Sequence, residues 1–224
     1  HYLKEDSKTA AKLPEAYMFD TGKKEWKTFD NWPPKSAEKQ NYFLNSTGIL
    51  SKKGDDSKRV SIYFSDPEKP VLSSENYKGM NGFTPRNYMS EDQRFAAYRP
   101  DVLTFTTDVL ENDITLAGEI LTKLNIVTSA TDLDFIVKLI DIYPSDEKAN
   151  PDKPGVVYAN YHQMVRSEIM PARFRNSFEK PEPLTPNKSA TVNVKLQDVL
   201  HTFNKGHSIQ VQVQSTWFPL MAIN

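Results

Sequence analysis

The residues that decide the fold are SIQVQVQ, at positions 208–214. Three aliphatic residues, at positions 209, 211 and 213, alternate there with three glutamines. Successive side chains of a strand point to opposite faces of its sheet, so this pattern predicts a strand with one apolar, buried face. A second stretch, FIVKLIDIY at positions 135–143, is apolar on both faces apart from Lys138 and Asp141. Such a run predicts a central strand that is covered on both sides.

The same period of two recurs along the chain. In residues 114–128 it predicts a long strand with a bulge at Gly118, and in residues 191–196 it predicts another strand. Weaker alternation predicts further strands at residues 16–19, 40–44, 60–64, 102–107 and 156–161. Helical patterns are few: residues 90–93 resemble a capping box that opens a short turn, and residues 197–204 could form another. Roughly eight to ten short strands with few short helices predict an all-β chain, folded as a β-sandwich or jelly roll.

Composition excludes several classes of function. The 224 residues include no Cys, which rules out disulfides, thiolate metal sites and a cysteine nucleophile. The 28 basic and 29 acidic residues give a net charge of −1 without a long basic run, so nucleic acid is not an expected partner. No apolar stretch approaches the ~20 residues of a membrane span, and no signal peptide is recognisable. The chain opens at His1 rather than Met, so we expect a processed product or an excised piece of something longer.

The common catalytic motifs are missing from the sequence. Gly-x-Ser-x-Gly does not occur, and the three Ser-x-x-Lys matches lie in loops beside prolines. His201 and His207 are six residues apart across a glycine turn, a poor spacing for zinc, and we interpret them as structural. Asp132 and Asp134 lack the third ligand and the glycine of an EF-hand loop, although a jelly-roll loop can hold calcium without a local motif. The residues alone indicate no active site, and no cofactor or metal is expected.

Residues 66–99 show little periodicity and predict a long excursion across the surface. Loops of that length are uncommon and tend to be functional. Trp26, Trp32 and Trp217 lie near predicted strand ends, where exposed aromatic rings could stack on sugars. A carbohydrate-binding module of jelly-roll type is therefore one hypothesis for the function.

Several ordered blocks resemble the X-Pro dipeptidyl-peptidase and cocaine-esterase group of α/β-hydrolases. They are YMSEDQRF at 88–95, RPDVL at 99–103, TDLDFIVKLIDIYP at 131–144, RFRNSFEKP at 173–181 and STWFP at 215–219. In that family the catalytic Ser, Asp and His belong to an upstream α/β-hydrolase domain. The resemblance implies that this chain is the non-catalytic C-terminal jelly roll, galactose-binding-like in fold, and that His207 is not the catalytic histidine.

The resemblance also implies the domain boundaries. Residues 1–12 would be the remnant of the end of the upstream domain, and residues 13–224 the jelly roll. The family continues after Phe-Pro with at least one more strand, whereas Ala222 here replaces an expected aspartate and the chain stops at Asn224. Either the last strand is missing or the domain closes early, so we expect an exposed edge near Ser208–Gln214.

The function that the resemblance implies is to pack on the upstream hydrolase domain of the same protein and to wall its substrate pocket. We expect the excursion to do this, and the candidate pocket-wall or interface residues are Tyr88, Met89, Arg94, Phe95 and Arg99. The parent would be a serine hydrolase of dipeptidyl-peptidase, α-amino-acid ester hydrolase or acylase type, and an extracytoplasmic location is favoured. The chain alone is expected to be inactive. A homo-oligomer remains a further hypothesis.

Overall fold

The structure is a computed structural model that describes residues 13–55, 59–75, 86–151 and 154–223. Within these ranges the strands are β1 (Ala16–Asp20), β2 (Glu25–Phe29), β3 (Phe43–Leu44), β4 (Leu50–Ser51), β5 (Leu103–Thr106), β6 (Ile114–Ile126), β7 (Asp134–Ile142), β8 (His162–Pro171), β9 (Ala190–Phe203) and β10 (Ser208–Gln214). The helices described are one short α-helix, α1 (Arg94–Ala97), and 3₁₀ turns at Arg86–Met89 and Ala172–Phe174. The prediction of an all-β sandwich with few short helices is confirmed. Residues 1–12, the predicted end of an upstream domain, lie outside the described residues.

The first layer of the sandwich is a four-stranded antiparallel sheet in the order β5-β10-β7-β8. Strand β7 lies between β10 and β8, which confirms it as a central strand. Strand β10 pairs with β5 on one side and with β7 on the other. The expectation of an exposed edge at β10 is therefore wrong, because both sides of this strand are already hydrogen-bonded.

The second layer consists of the long antiparallel pair β6–β9, with the β1–β2 hairpin beside it. The register of β6 shifts between Gly118 and Ile120, which confirms the bulge. The hairpin joins β9 through a hydrogen bond from the Thr21 amide to the Leu200 carbonyl, at 3.1 Å. Apolar residues of β9 and β7 share one core between the layers: Val192, Val194, Leu196, Phe135, Val137 and Leu139.

A further layer covers the other face of the four-stranded sheet. We call it the outer layer and define it as residues 59–75, 86–102 and 215–221. Ile136 and Ile140 of β7 pack there against Trp217, and the Phe218 amide donates to the Val71 carbonyl at 2.9 Å. This layer also buries the glutamines of β10, so the strand is covered on both faces rather than on one.

Three element predictions are wrong. Residues 60–64 are extended but pair with no strand, and residues 156–161 are irregular, since β8 begins only at His162. Residues 197–204 form no helical turn, because most of this stretch continues β9 and pairs with the first half of β6. The short turn predicted after Ser90 does form as α1, but the Ser90 hydroxyl donates to the Asn87 carbonyl instead of capping it. No helix in the described ranges is long and apolar enough to cross a membrane.

Candidate functional site

The five candidate residues all lie in the outer layer. Tyr88 and Met89 belong to the 3₁₀ turn, Arg94 and Phe95 begin α1, and Arg99 follows it. The backbone is joined to the sheet where the amide of Gln93 donates to the carbonyl of His162 in β8, at 3.0 Å. The second half of the excursion, residues 86–99, therefore covers the sheet and is hydrogen-bonded to it.

A buried lysine fixes this covering from below. Lys138 of β7 is fully buried, and its Nζ donates to Oε1 of Gln93 at 3.0 Å. The same ammonium group lies 5.0 Å from the ring centroid of Trp217, a favourable position for a cation. Gln93 is in turn bonded to the backbone of the candidate segment, because its Nε2 donates to the carbonyls of Tyr88, at 3.3 Å, and Glu91, at 2.9 Å. One side-chain amide thus ties the central strand to the start of the candidate segment.

The electrostatics of Lys138 follow from its surroundings. Burial lowers its pKa from 10.5 to about 7, since a charged amine loses its hydration in the interior. Its neighbours are neutral: Gln212 lies opposite it in the register of β10, and Tyr88 packs edge-on against Trp217 with the ring centroids 5.5 Å apart. Lys138 is a structural group beneath the candidate segment, and no substrate could reach it without displacing that segment.

The two candidate arginines are already paired. Arg94 contacts Asp92 at 2.5 Å, and Arg99 contacts Asp101 at 2.7 Å. Arg99 also donates from Nη2 to the carbonyl of Lys69 at 2.6 Å. Both guanidinium groups hold the outer layer together, so neither is a free cation waiting for an anionic ligand.

The three apolar candidates divide into packed and exposed residues. Phe95 packs against the small cluster of Val71, Ala96 and Val102, and Tyr88 packs against Trp217. Met89 is 49% exposed, and Tyr98, which sequence reasoning did not select, is 81% exposed. Surface depressions of about 510 and 420 Å³ lie elsewhere and are lined by none of the five candidates. The exposed large side chains of the segment are therefore Met89 and Tyr98, with the small Ser90 exposed beside them.

A second polar cluster lies inside the sandwich and was missed by sequence reasoning. Asp141 of β7 accepts hydrogen bonds from His207 Nδ1, at 2.8 Å, and from His201 Nε2, at 3.2 Å. Thr21 Oγ1 lies 2.7 Å from Nδ1 of His201. Burial alone would raise the pKa of Asp141, but the bonds from the two histidines outweigh it and lower that pKa. Both histidines are structural, as predicted, although their shared partner is 60 or more residues away in sequence.

The order hydroxyl, imidazole, carboxylate in this cluster is superficially that of a hydrolytic triad. A nucleophile must be reached by its substrate, and here the imidazole of His201 has no exposed surface. The Thr21 hydroxyl also lies 3.5 Å from the Leu200 carbonyl, inside the joint between the hairpin and β9. The cluster therefore joins the hairpin turn, β7, β9 and the residue before β10, and its imidazole and carboxylate are closed to a substrate. In the described residues no group of three or more acidic or histidine side chains could hold a metal ion.

An exposed aromatic patch lies on the outside of the β1–β2 hairpin. Tyr17 and Trp26 are each 59% exposed and stack with their centroids 4.8 Å apart, while Phe19 meets Trp26 at 5.3 Å. Such rings are the feature that the carbohydrate-binding hypothesis requires. They lie on a two-stranded ribbon and line neither of the two surface depressions described above, whereas ligand sites are usually concave.

Taken together, the described residues define an all-β sandwich domain whose hydroxyl–imidazole–carboxylate cluster has a buried imidazole and carboxylate. Comparison with known proteins gives the family: residues 8–224 match the X-Pro dipeptidyl-peptidase C-terminal non-catalytic domain. The chain belongs to this family, which confirms the resemblance noted in the sequence and supports it over the carbohydrate-binding module.

Relatives of known structure have the same fold. An aminopeptidase from the marine sediment archaeon Thaumarchaeota archaeon is 33% identical, with a TM-score of 0.85 over 95% of this chain and 35% of its own. An α-amino acid ester hydrolase is also 33% identical, with a TM-score of 0.84 over 98% of this chain and 36% of its own. Cocaine esterase from Rhodococcus sp. (strain MB1 Bresler) is 26% identical over 231 residues, which are 97% of this chain and 37% of that protein. The chain thus spans about a third of the length of these relatives.

Proposed function

We propose that this domain packs on an upstream catalytic domain of the same polypeptide, a serine hydrolase, and helps to wall its substrate pocket. The observation that carries the proposal is the match to a non-catalytic domain in a chain whose described residues assemble no triad. The relatives are hydrolases about three times longer than this chain. The reaction we propose for the whole protein is hydrolysis of an ester or amide bond, with its chemistry in the upstream domain.

The part of the pocket wall that we assign to this domain is residues 88–99. Supporting this assignment, the segment is held rigidly from below by Gln93 and Lys138, so that it presents a fixed surface. Of its side chains, Met89 and Tyr98 face outward, whereas Arg94, Phe95 and Arg99 are occupied within the outer layer. Residues 1–12 would belong to the end of the upstream domain.

The pocket wall can be tested by the substrate selectivity of a longer polypeptide, which contains the upstream catalytic domain followed by this chain. Met89→Ala or Tyr98→Ala should change the ratio of kcat/KM between a small and a bulky acyl ester by about threefold or more, because a pocket contact acts unequally on the two substrates. Val109→Ala is the matched control, since Val109 is 64% exposed and lies beside β6, away from the segment. If all three variants keep the wild-type ratio, the segment does not face the pocket.

A further inference from the structure

An apolar strip on the outer layer has no partner in the described part of the chain. Val60, Ile62 and Phe64 are 73%, 83% and 81% exposed and alternate in sequence with Ser61 and Tyr63. The Tyr63 hydroxyl lies 2.5 Å from Ser215 Oγ and is anchored in the domain. We call residues 60–64 the apolar strip. Exposed apolar groups of this density mark interaction surfaces more often than free surface.

The backbone of the strip has no partner among the described residues. Residues 60–65 form no backbone hydrogen bond with any of them, although the sequence alternates as in a strand from Val60 to Ile62. A second surface usually covers an extended segment with one apolar face and free amides, either by packing on its side chains or by adding a strand to its backbone. Within the described residues, the segment that the period-two pattern predicted as a strand therefore has no strand paired with it.

The location of the strip connects it with the candidate segment. Downstream of the strip, the Val71 amide donates to Thr216 Oγ1 at 2.8 Å, and the Ser73 amide to the Phe218 carbonyl at 2.8 Å. Arg99 bonds the carbonyl of Lys69. The strip, Met89 and Tyr98 thus belong to one layer on one side of the four-stranded sheet, opposite the layer that carries the aromatic hairpin.

We infer that the apolar strip is a docking site for the upstream catalytic domain, whose apolar surface packs against Val60, Ile62 and Phe64. This inference rests on the proposed function. Two observations favour this occupant: about two-thirds of the length of the relatives lies outside the part that this chain matches, and the strip lies in the layer that carries the candidate pocket wall. A second copy of this chain would be the occupant if the strip were instead a self-association surface.

Hydroxyl-radical footprinting tests the docking site. Phe64 and Ile62 should be modified at least about fivefold more slowly in the longer polypeptide than in the 224-residue chain, because an interface core excludes solvent. Equal modification of these residues in both proteins would overturn the inference. Protection in the 224-residue chain that grows with its concentration would also overturn it and would assign the strip to a second copy.

The same experiment separates this inference from the proposed function. If Met89 and Tyr98 become protected in the longer polypeptide while the strip does not, only the docking site fails. If neither becomes protected, the proposed packing of the two domains fails as well.

Variants of the longer polypeptide supply an independent readout. Phe64→Asp should split its thermal unfolding into two transitions, since a charge in an apolar interface uncouples the domains. Phe178→Asp is the matched control, because Phe178 is 75% exposed and lies in a loop outside the outer layer. A single, unshifted transition in Phe64→Asp would contradict the inference.

Discussion

Lys138 and Asp141 stand three residues apart on β7 and face opposite sides of the sheet. The lysine supports the outer layer through Gln93, and the aspartate joins β9 and β10 through the two histidines. The sequence marks both residues, because they interrupt an otherwise apolar run, but it could not reveal their partners. Those partners are 45 to 66 residues distant, and only the sheet order brings them together.

The buried lysine gives a prediction with a definite sign. Its pKa is about 7 in the folded chain against an ordinary 10.5, so the unfolded chain binds more protons between these values and stability rises with pH. We expect this group to add about 3 kcal/mol to the free energy of unfolding between pH 7 and pH 10. Lys138→Met should remove that rise, as measured by urea unfolding across this range. Lys195→Met, at an exposed lysine paired with Glu119, should keep it; an unchanged rise in Lys138→Met would contradict the assignment.

The carboxylate of Asp141 gives a prediction of the opposite sign. Its pKa is lowered, so its stabilisation is present above the ordinary value of 3.8 and is lost as the pH falls through the folded value. Asp141→Asn should lower the free energy of unfolding by about 3 kcal/mol at pH 7, because one partner of a buried pair is removed. The loss should shrink in strong acid. Asp113→Asn, at an exposed aspartate paired with Lys23, is the control and should change stability little.

At the scale of elements, the β1–β2 hairpin is joined to β9 through Asp20. Its buried carboxylate accepts from the Thr202 amide at 3.0 Å and from the Thr202 hydroxyl at 2.6 Å. Burial alone would raise the pKa of Asp20, but these bonds and the one from Lys27 outweigh it and hold that pKa well below its ordinary value. The turn that follows approaches β9 so closely that a Cβ on Gly22 would lie 1.9 Å from the Thr202 carbonyl oxygen.

This close approach predicts the cost of a single methyl group. Gly22→Ala should lower the free energy of unfolding by about 3 kcal/mol or more, because the clash is with backbone that cannot rotate away. Gly206→Ala is the control: its Cβ would meet no atom within 4 Å, and only its φ of +88° is unfavourable, at about 1–2 kcal/mol. Thermal unfolding followed by tryptophan fluorescence compares the two variants. Equal losses would show that the hairpin does not pack as described.

The elements also show where sequence reasoning works. Alternation locates β6 and β10 closely, because one face of each lies on a continuous core, and the run that is apolar on both faces locates β7. It misses β8, where Arg166 and Glu168 are half-buried on an edge strand and the pattern is mixed. It predicts a strand at residues 60–64 that has the pattern but no pairing partner among the residues that the structure describes. Periodicity records which face is apolar, whereas pairing depends on which other segment arrives beside it.

At the scale of the whole molecule, the groups that an active site would need to bring together lie in different places. The imidazole–carboxylate cluster is buried, Arg94 and Arg99 are paired with aspartates, and Met89 and Tyr98 are exposed. The fold was predictable from the period of two and the family from the sequence blocks. The division of the candidate segment into packed and outward-facing residues was not predictable, because it depends on Lys138 and Trp217 beneath it.

The most direct test of the account is whether the 224-residue chain hydrolyses anything by itself. We predict that its rates with glycyl-prolyl p-nitroanilide and with p-nitrophenyl esters equal those of the buffer, because the hydroxyl–imidazole–carboxylate cluster of Thr21, His201 and Asp141 is closed to substrate by the burial of its imidazole and carboxylate. Turnover above the buffer rate that a serine-directed inhibitor abolishes would contradict the account.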